Sequence, residues 1–219
     1  MSLFESLLGA IQVGGTLILS PVLRGWYNRW GAQPEEVQCT MPGDELVPAP
    51  MMGCTRAITI QAPVEEVWPW LAQLGQGRGG LYSYDGLENL AGCQIHSVDR
   101  IIPEYQNLEP GDLIRLGPKS YPCFSVVSSE PDRALILISA DPKSEQVVLY
   151  TTERGKGYSI ATWQFTLKTL DEKTTRLFVR QRLAFSPDLT LLWRLTEPVS
   201  FVMERKMLLG IKHRAEHGV

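Results

Sequence analysis

The sequence predicts an α+β domain, an antiparallel meander of strands closed by a long C-terminal helix, with a separate helix in front of it. Three observations predict this. The composition is that of one ordinary domain plus an appendage: 219 residues, 44% hydrophobic and 21% charged, with Gly (19) and Pro (15) slightly above average usage, as a turn-rich domain requires. Between Asp112 and Ala184, short apolar or alternating runs follow one another through turn-like links such as Pro131-Asp132 and Asp171-Glu172-Lys173, too short for parallel crossovers. After Pro187 the apolar period lengthens, and Val199, Met203, Met207 and Ile211 recur every fourth residue.

Residues 1–31 form an N-terminal segment. Ser6 to Leu23 is an uncharged stretch of 18 residues, borderline for a membrane span. On a helical wheel Glu5, Ser6, Gln12, Thr16 and Ser20 share one side, and Leu3, Phe4, Leu7, Ile11, Ile18 and Val22 the other. Arg24, Trp26, Tyr27, Arg29 and Trp30 follow as an aromatic and basic end. Such a stripe suits contact with a membrane surface through residues 3–30, or docking on the protein itself, and both readings stay open. Gly14-Gly15 and Pro21 weaken a single straight helix. Glu5 in place of a basic lead, with no small-x-small site after the apolar run, argues against a cleaved secretory signal. Residues 32–54, with Pro34, Pro42, Pro48 and Pro50, read as an extended arm.

The domain proper is expected over residues 55–219. Thr55 to Gln61 alternates as a half-buried strand does. Ala62-Pro63-Val64 starts a helix with Glu65 and Glu66 in its first turn, bent by Pro69 between Trp68 and Trp70. Strands are expected at Asp112–Leu116, Cys123–Ser129, Ala134–Ala140, Gln146–Thr152, Tyr158–Leu170 and Thr175–Ala184. Pro198 is placed near the start of the last helix, with Lys212 and Arg214 in its final turns, where cations are favoured.

Charge and cysteine usage exclude several functions. Lys and Arg number 21 against 24 Asp and Glu, a net charge of −3, so no global field draws in nucleic acid. Cys39, Cys54, Cys93 and Cys123 form no C-x-x-C pair, and no metal site or cofactor is expected. Reduced thiols and a cytoplasmic setting, membrane-associated if residues 3–30 reach a bilayer, are the expectation. Gly75, Gly77 and Gly80 satisfy G-x-G-x-x-G in form, but a helix precedes them where a dinucleotide fold needs a strand. Gly157-Tyr158-Ser159-Ile160 lacks the last glycine of a nucleophile elbow and opens a strand.

Residues 75–106 concentrate arginine, tyrosine, carboxylates and the one mid-chain histidine. Groups of this kind either satisfy one another or line a pocket mouth. Asp85, Glu88 and His96 are the candidate proton-transfer groups, because a histidine and a carboxylate can exchange protons near neutral pH. Arg78, Tyr82, Tyr84, Asp99, Arg100 and Glu104 are candidate ligand contacts. In the bland reading, Asp85 caps a helix over Gly86 to Ala91 with Glu88 at its third position, and Asp99-Arg100 fixes the loop ending at Pro103.

This order of elements resembles the SRPBCC superfamily, the START-like, polyketide-cyclase and birch-pollen-allergen-like group. The strings PGDELVP (from Pro42), AITIQAPVEEVWPWLAQLGQGRGGLYSYDGLENLAGC (from Ala57), IHSVDRIIPEYQ (from Ile95), GD at Gly111-Asp112 and MERKMLLGIKHRAE (from Met203) look like a little-characterised bacterial branch of it. The resemblance implies a helix-grip fold, a curved antiparallel sheet around the C-terminal helix, enclosing an elongated apolar cavity. Val126, Ile136, Ile138, Trp163, Phe165, Phe178 and Val179, with Met203 and Met207, would then be wall or core; Trp163, Phe165, Met203 and Met207 are carried as ligand contacts.

Three functions follow as expectations. The first is a carrier or sensor that binds a hydrophobic small molecule, of lipid, polyketide or isoprenoid class, in an internal cavity. The second is a cyclase- or dehydratase-type enzyme using the polar groups at the mouth, with Arg78 or Tyr82 steadying an enolate-like oxygen. The third is a non-catalytic membrane-associated or assembly protein whose interior is filled by side chains. Oligomeric state is left open.

Overall fold

The computed structural model describes residues 3–218; Met1, Ser2 and Val219, and the side chains of Leu3 and Phe4 on the expected apolar stripe, lie outside the described residues. Six strands form one antiparallel sheet in the order β1-β6-β5-β4-β3-β2. They are β1 (Met52–Ile60), β2 (Leu113–Arg115), β3 (Cys123–Glu130), β4 (Ala134–Ala140), β5 (Ser159–Asp171) and β6 (Thr174–Phe185). The helices are α1 (Leu3–Tyr27), α2 (Pro34–Gln38), α3 (Val64–Ala72), α4 (Asp85–Leu90) and α5 (Thr190–His217). Helices α3 and α5 pack on the inner face of the sheet, the helix-grip arrangement.

Strand alternation decides what the helices meet. On the inner face Ile58, Ile60, Val126, Leu135, Leu137, Trp163, Phe165, Leu177 and Val179 join Val67 and Leu71 of α3 and Met207, Leu208 and Ile211 of α5 in one buried cluster. The outer face is covered as well. Val47 packs on Ile138, Ile160 and Ala184, and Met41 on Ala57 and Phe178. Arginines of β6 fasten this arm, with Arg180 2.7 Å from Asp44 and Arg176 2.7 Å from Glu36. Ile136, Ile138 and Phe178 therefore do not belong to the inner wall with Trp163, Phe165 and Val179: neighbours along a strand point to opposite faces, and these three meet the arm. With both faces covered, β4 reads ALILISA and hides its own alternation.

Three expected elements differ. The arm expected to be extended over 32–54 carries α2 and a 3-10 turn at Asp44–Leu46, and β1 already begins at Met52. Gln146–Thr152 forms no continuous ladder; a single bridge pairs Ala140 with Val147, and Val148 N–H donates to Ser139 O at 3.1 Å, as Glu145 at φ 61° turns the chain away. Helix α5 starts at Thr190, so Pro198 lies inside it and is buried there. The residues after α1 run along the outer edge of β1, where Thr55 N–H donates to Asn28 O at 2.9 Å and Ala57 N–H to Trp30 O at 3.1 Å. Gly31 permits that approach, since a Cβ there would lie 2.0 Å from Ala57 O.

Candidate functional site

Where the resemblance implies a cavity, buried side chains pack between the sheet and α5. Trp163 packs 4.9 Å from Phe165 and 5.5 Å from Phe124, ring centre to ring centre. Beside them Glu204 of α5 is paired with Arg56 of β1 and accepts hydrogen bonds from Trp163 Nε1 at 2.9 Å and Gln181 Nε2 at 2.8 Å. Arg56 also donates from Nε to Tyr27 O at 2.9 Å and lies 5.2 Å from the Phe201 ring centre. Burial pushes the neighbouring Cys54 thiol up to about 12, which leaves it unreactive. Neither Arg56, Gln181 nor Glu204 is among the sequence candidates, yet a signal existed. Glu204 shares the helical stripe of Phe201, Leu208 and Ile211, and Arg56 shares the strand face of Ile58 and Ile60.

The segment 73–106 largely satisfies itself. Arg78 donates from Nη2 to Ala72 O and Tyr105 O, both at 3.0 Å, with its guanidinium 4.5 Å from the Tyr105 ring centre, and burial holds it below its ordinary pKa. Tyr82 is buried at φ 54°; its hydroxyl accepts from Gln73 Nε2 at 2.8 Å, and the Arg214 guanidinium lies 4.6 Å from its ring centre. Arg214 in turn is 2.6 Å from Asp99. Tyr84 donates to Gln12 Oε1 of α1 at 3.1 Å. Arg100, Glu104 and His96 are exposed, and Arg100 joins the network through its carbonyl, which accepts from Gln73 Nε2 at 3.0 Å.

The three candidate proton-transfer groups occupy three different settings. Asp85 is the first residue of α4 rather than its cap, and its carboxylate accepts from Ser97 N–H and Ser97 Oγ, both at 2.7 Å, so it ties the insertion together. Glu88 is buried with its Oε2 lacking a hydrogen-bond partner among the described residues, and burial, then the Asp85 charge, pushes its carboxyl up to about 8. His96 lies outside. Of the remaining candidates, Trp163, Phe165 and Met207 are in the inner cluster, whereas Met203 packs with Val13, Leu23 and Leu87 against α1 and α4.

Helix α1 presents an unusual face. Its wheel's polar side is turned to the protein, with Gln12 bonded to Tyr84 and Glu5 3.3 Å from Lys206, while Ser20 bonds within the helix to Tyr27 Oη at 2.9 Å. Its apolar side is turned out: Leu7, Leu8, Ile11, Leu19 and Trp26 are exposed, and Ile18 and Val22 retain 80% and 84% exposure. At the start of α5, Leu191, Leu192 and Leu195 are exposed as well. Residues Glu5–Tyr27 have mean hydropathy 1.6, long and apolar enough to cross a membrane by length and composition alone. A groove of about 280 Å³ between α1 and α5 is lined by Leu19, Leu23, Trp26, Phe201 and Val202, with Gln12, Thr16 and Arg205 among its polar borders.

No family model and no curated protein matches the chain. Solved structures similar to it include a hypothetical protein from Helicobacter pylori, 10% identical over 80% of this chain and 98% of that one, with a TM-score of 0.48. A conserved protein from Geobacillus kaustophilus is 15% identical over 75% and 95%, TM-score 0.43. CalU16 from Micromonospora echinospora is 12% identical over 75% and 83%, TM-score 0.35. Likenesses at this level carry nothing about function.

Proposed function

We propose that the chain works at a lipid surface, seated there by the outward apolar side of α1. The observation that carries this reading is the inverted amphipathicity of α1. A helix docked on a water-soluble domain ordinarily buries its apolar stripe; this one turns the half-buried Glu5 and Gln12 toward Lys206 of α5 and Tyr84 at the start of α4, and leaves Ile18 and Val22 outside. The aromatic and basic end at Arg24, Trp26 and Arg29, all exposed, suits the head-group level of an anionic bilayer. Flotation of the full chain with phosphatidylcholine vesicles containing phosphatidylglycerol tests it. The wild type floats with the vesicles, and Ile18→Asp lowers retention at least about tenfold with an unchanged melting temperature, since a charge on the seated face opposes insertion. A wild type that stays in the aqueous fraction and self-associates instead overturns the reading.

A second reading, binding of a hydrophobic molecule of lipid, polyketide or isoprenoid class as carrier or sensor, is favoured by the α1–α5 groove. In that form the ligand sits between the helices, because Trp163, Phe165 and the Arg56–Glu204 pair fill the interior. Native mass spectrometry with organic extraction of the purified chain tests it: a stoichiometric apolar molecule supports it, and an empty protein removes it. A cyclase or dehydratase role would fall to Glu88, the candidate carboxyl with an orphaned oxygen, and needs α4 to open before any substrate reaches it.

A further inference from the structure

Beside the C-terminal end of α1 is a polar cleft of about 790 Å³, large enough for a small organic ligand. Three separate stretches build it: the end of α1 and the turn after it, the arm from Val37 to Pro50, and the β1–β6 pair at Gly53 to Thr55 and Arg180 to Arg182. Four guanidinium-bearing residues line it, Arg24, Arg29, Arg180 and Arg182, against the single carboxylate of Asp44. The chain as a whole carries −3, so this concentration of positive charge is local.

The four arginines divide the work. Arg180 is buried and fully engaged, bonded to Thr55, Asp44 and the carbonyls of Glu36, Val37 and Cys39, and Arg182 donates to Val47 O and Pro48 O. These two fix the arm and form a charged floor. Arg24 spends Nε and Nη2 on Glu197, leaving Nη1. Arg29 is exposed, and among the described residues its one side-chain hydrogen bond runs from Nε to Gly25 O at 2.9 Å, so both of its terminal nitrogens are available at the mouth. We propose that this cleft binds a phosphoryl group, carried by a soluble organophosphate or by a lipid head group, with Arg29 as the principal contact and Arg24 beside it. Guanidinium forks match phosphate oxygens in pairs, and a floor of engaged arginines adds favourable potential without competing for the ligand. The soluble source stands without the bilayer reading; the head-group source rests on it.

The test titrates glycerol 3-phosphate into the full chain in phosphate-free buffer, following the arginine Nε–H resonances, and runs in parallel flotation on phosphatidylcholine vesicles with and without phosphatidic acid. The expected result is a saturable shift of the Arg24 and Arg29 signals, weakened about tenfold or more by Arg29→Gln and partly restored by Arg29→Lys, which keeps the charge and loses the fork. Arg29→Gln that also lowers retention on the anionic vesicles alone identifies the head group as the source; retention unchanged, with glycerol phosphate binding lost, identifies the soluble ester. Ile18→Asp separates the two proposals, since it abolishes flotation and leaves glycerol phosphate binding intact. No saturable shift together with equal retention on both vesicle types, or full binding in Arg29→Gln, overturns the inference.

Discussion

Glu204 is a carboxylate on an otherwise apolar helix stripe, and its three partners come from three different strands: Arg56 of β1, Trp163 of β5 and Gln181 of β6. Its charge is tolerated because Arg56 neutralises it at close range. Glu204→Gln keeps an acceptor for Trp163 but strands the Arg56 charge, and is expected to lower stability by about 3–5 kcal/mol in urea unfolding followed by tryptophan fluorescence. The double variant Arg56→Met with Glu204→Met loses less than the two single changes added together, since neither charge is then left alone. Glu88 gives the opposite sign. Its folded carboxyl titrates at about 8 against an ordinary 4.5, so between these values the folded state holds a proton that the unfolded state has released. Its contribution to stability is complete below pH ~4.5 and is lost as pH rises to ~8. Glu88→Gln removes this slope and gains roughly 1–3 kcal/mol at pH ~9, read from denaturation midpoints across pH.

Helix α5 approaches the insertion at Gly210, where an added Cβ would lie 2.4 Å from Tyr82 O and 2.9 Å from Tyr82 Cβ. Alanine would favour the helix by about 1 kcal/mol, but the backbone of Tyr82 cannot yield without shifting its φ 54° turn. Gly210→Ala is therefore expected to lower stability by about 1–3 kcal/mol net, visible as a lower melting temperature. Elements with a clear period were legible in the sequence: Thr55 to Gln61 as a strand, and Met203, Met207 and Ile211 along the last helix. What escaped it was contact with main chain and choice of side. Arg78 is held by two carbonyls, acceptors every residue carries, so its partners leave no sequence signature. The wheel of α1 separated Gln12 from Ile18 correctly but could not say which one faced the protein. Pro198 resembled a helix start because proline suits a first turn, yet α5 carries it in its interior.

Taken together, the sheet is clothed on both faces, by α3 and α5 inside and by residues of the arm such as Met41 and Val47 outside, and this doubling gives that arm its structural purpose. The same wrapping ties the N-terminal helix to the domain, since Arg56 reaches Tyr27 O and Glu197 accepts from Arg24, Tyr27 and Asn28. The basic cleft opens beside the C-terminal end of α1, where Arg24 and Arg29 line it, next to the outward apolar side of the same helix.

The short run from Asn28 to Trp30 has a further role. An open sheet ends in a strand with unpaired amides, and β1 is such a strand; by accepting from Thr55 and Ala57, this run stops another chain from pairing there. Shortened versions of the protein should then divide sharply. One beginning at Gly25 loses the apolar helix, keeps the seal and stays monodisperse in light scattering, whereas one beginning at Gln33 bares the β1 edge and forms concentration-dependent aggregates. On this account the apolar helix is dispensable for colloidal stability, and the run from Asn28 to Trp30 behind it is not.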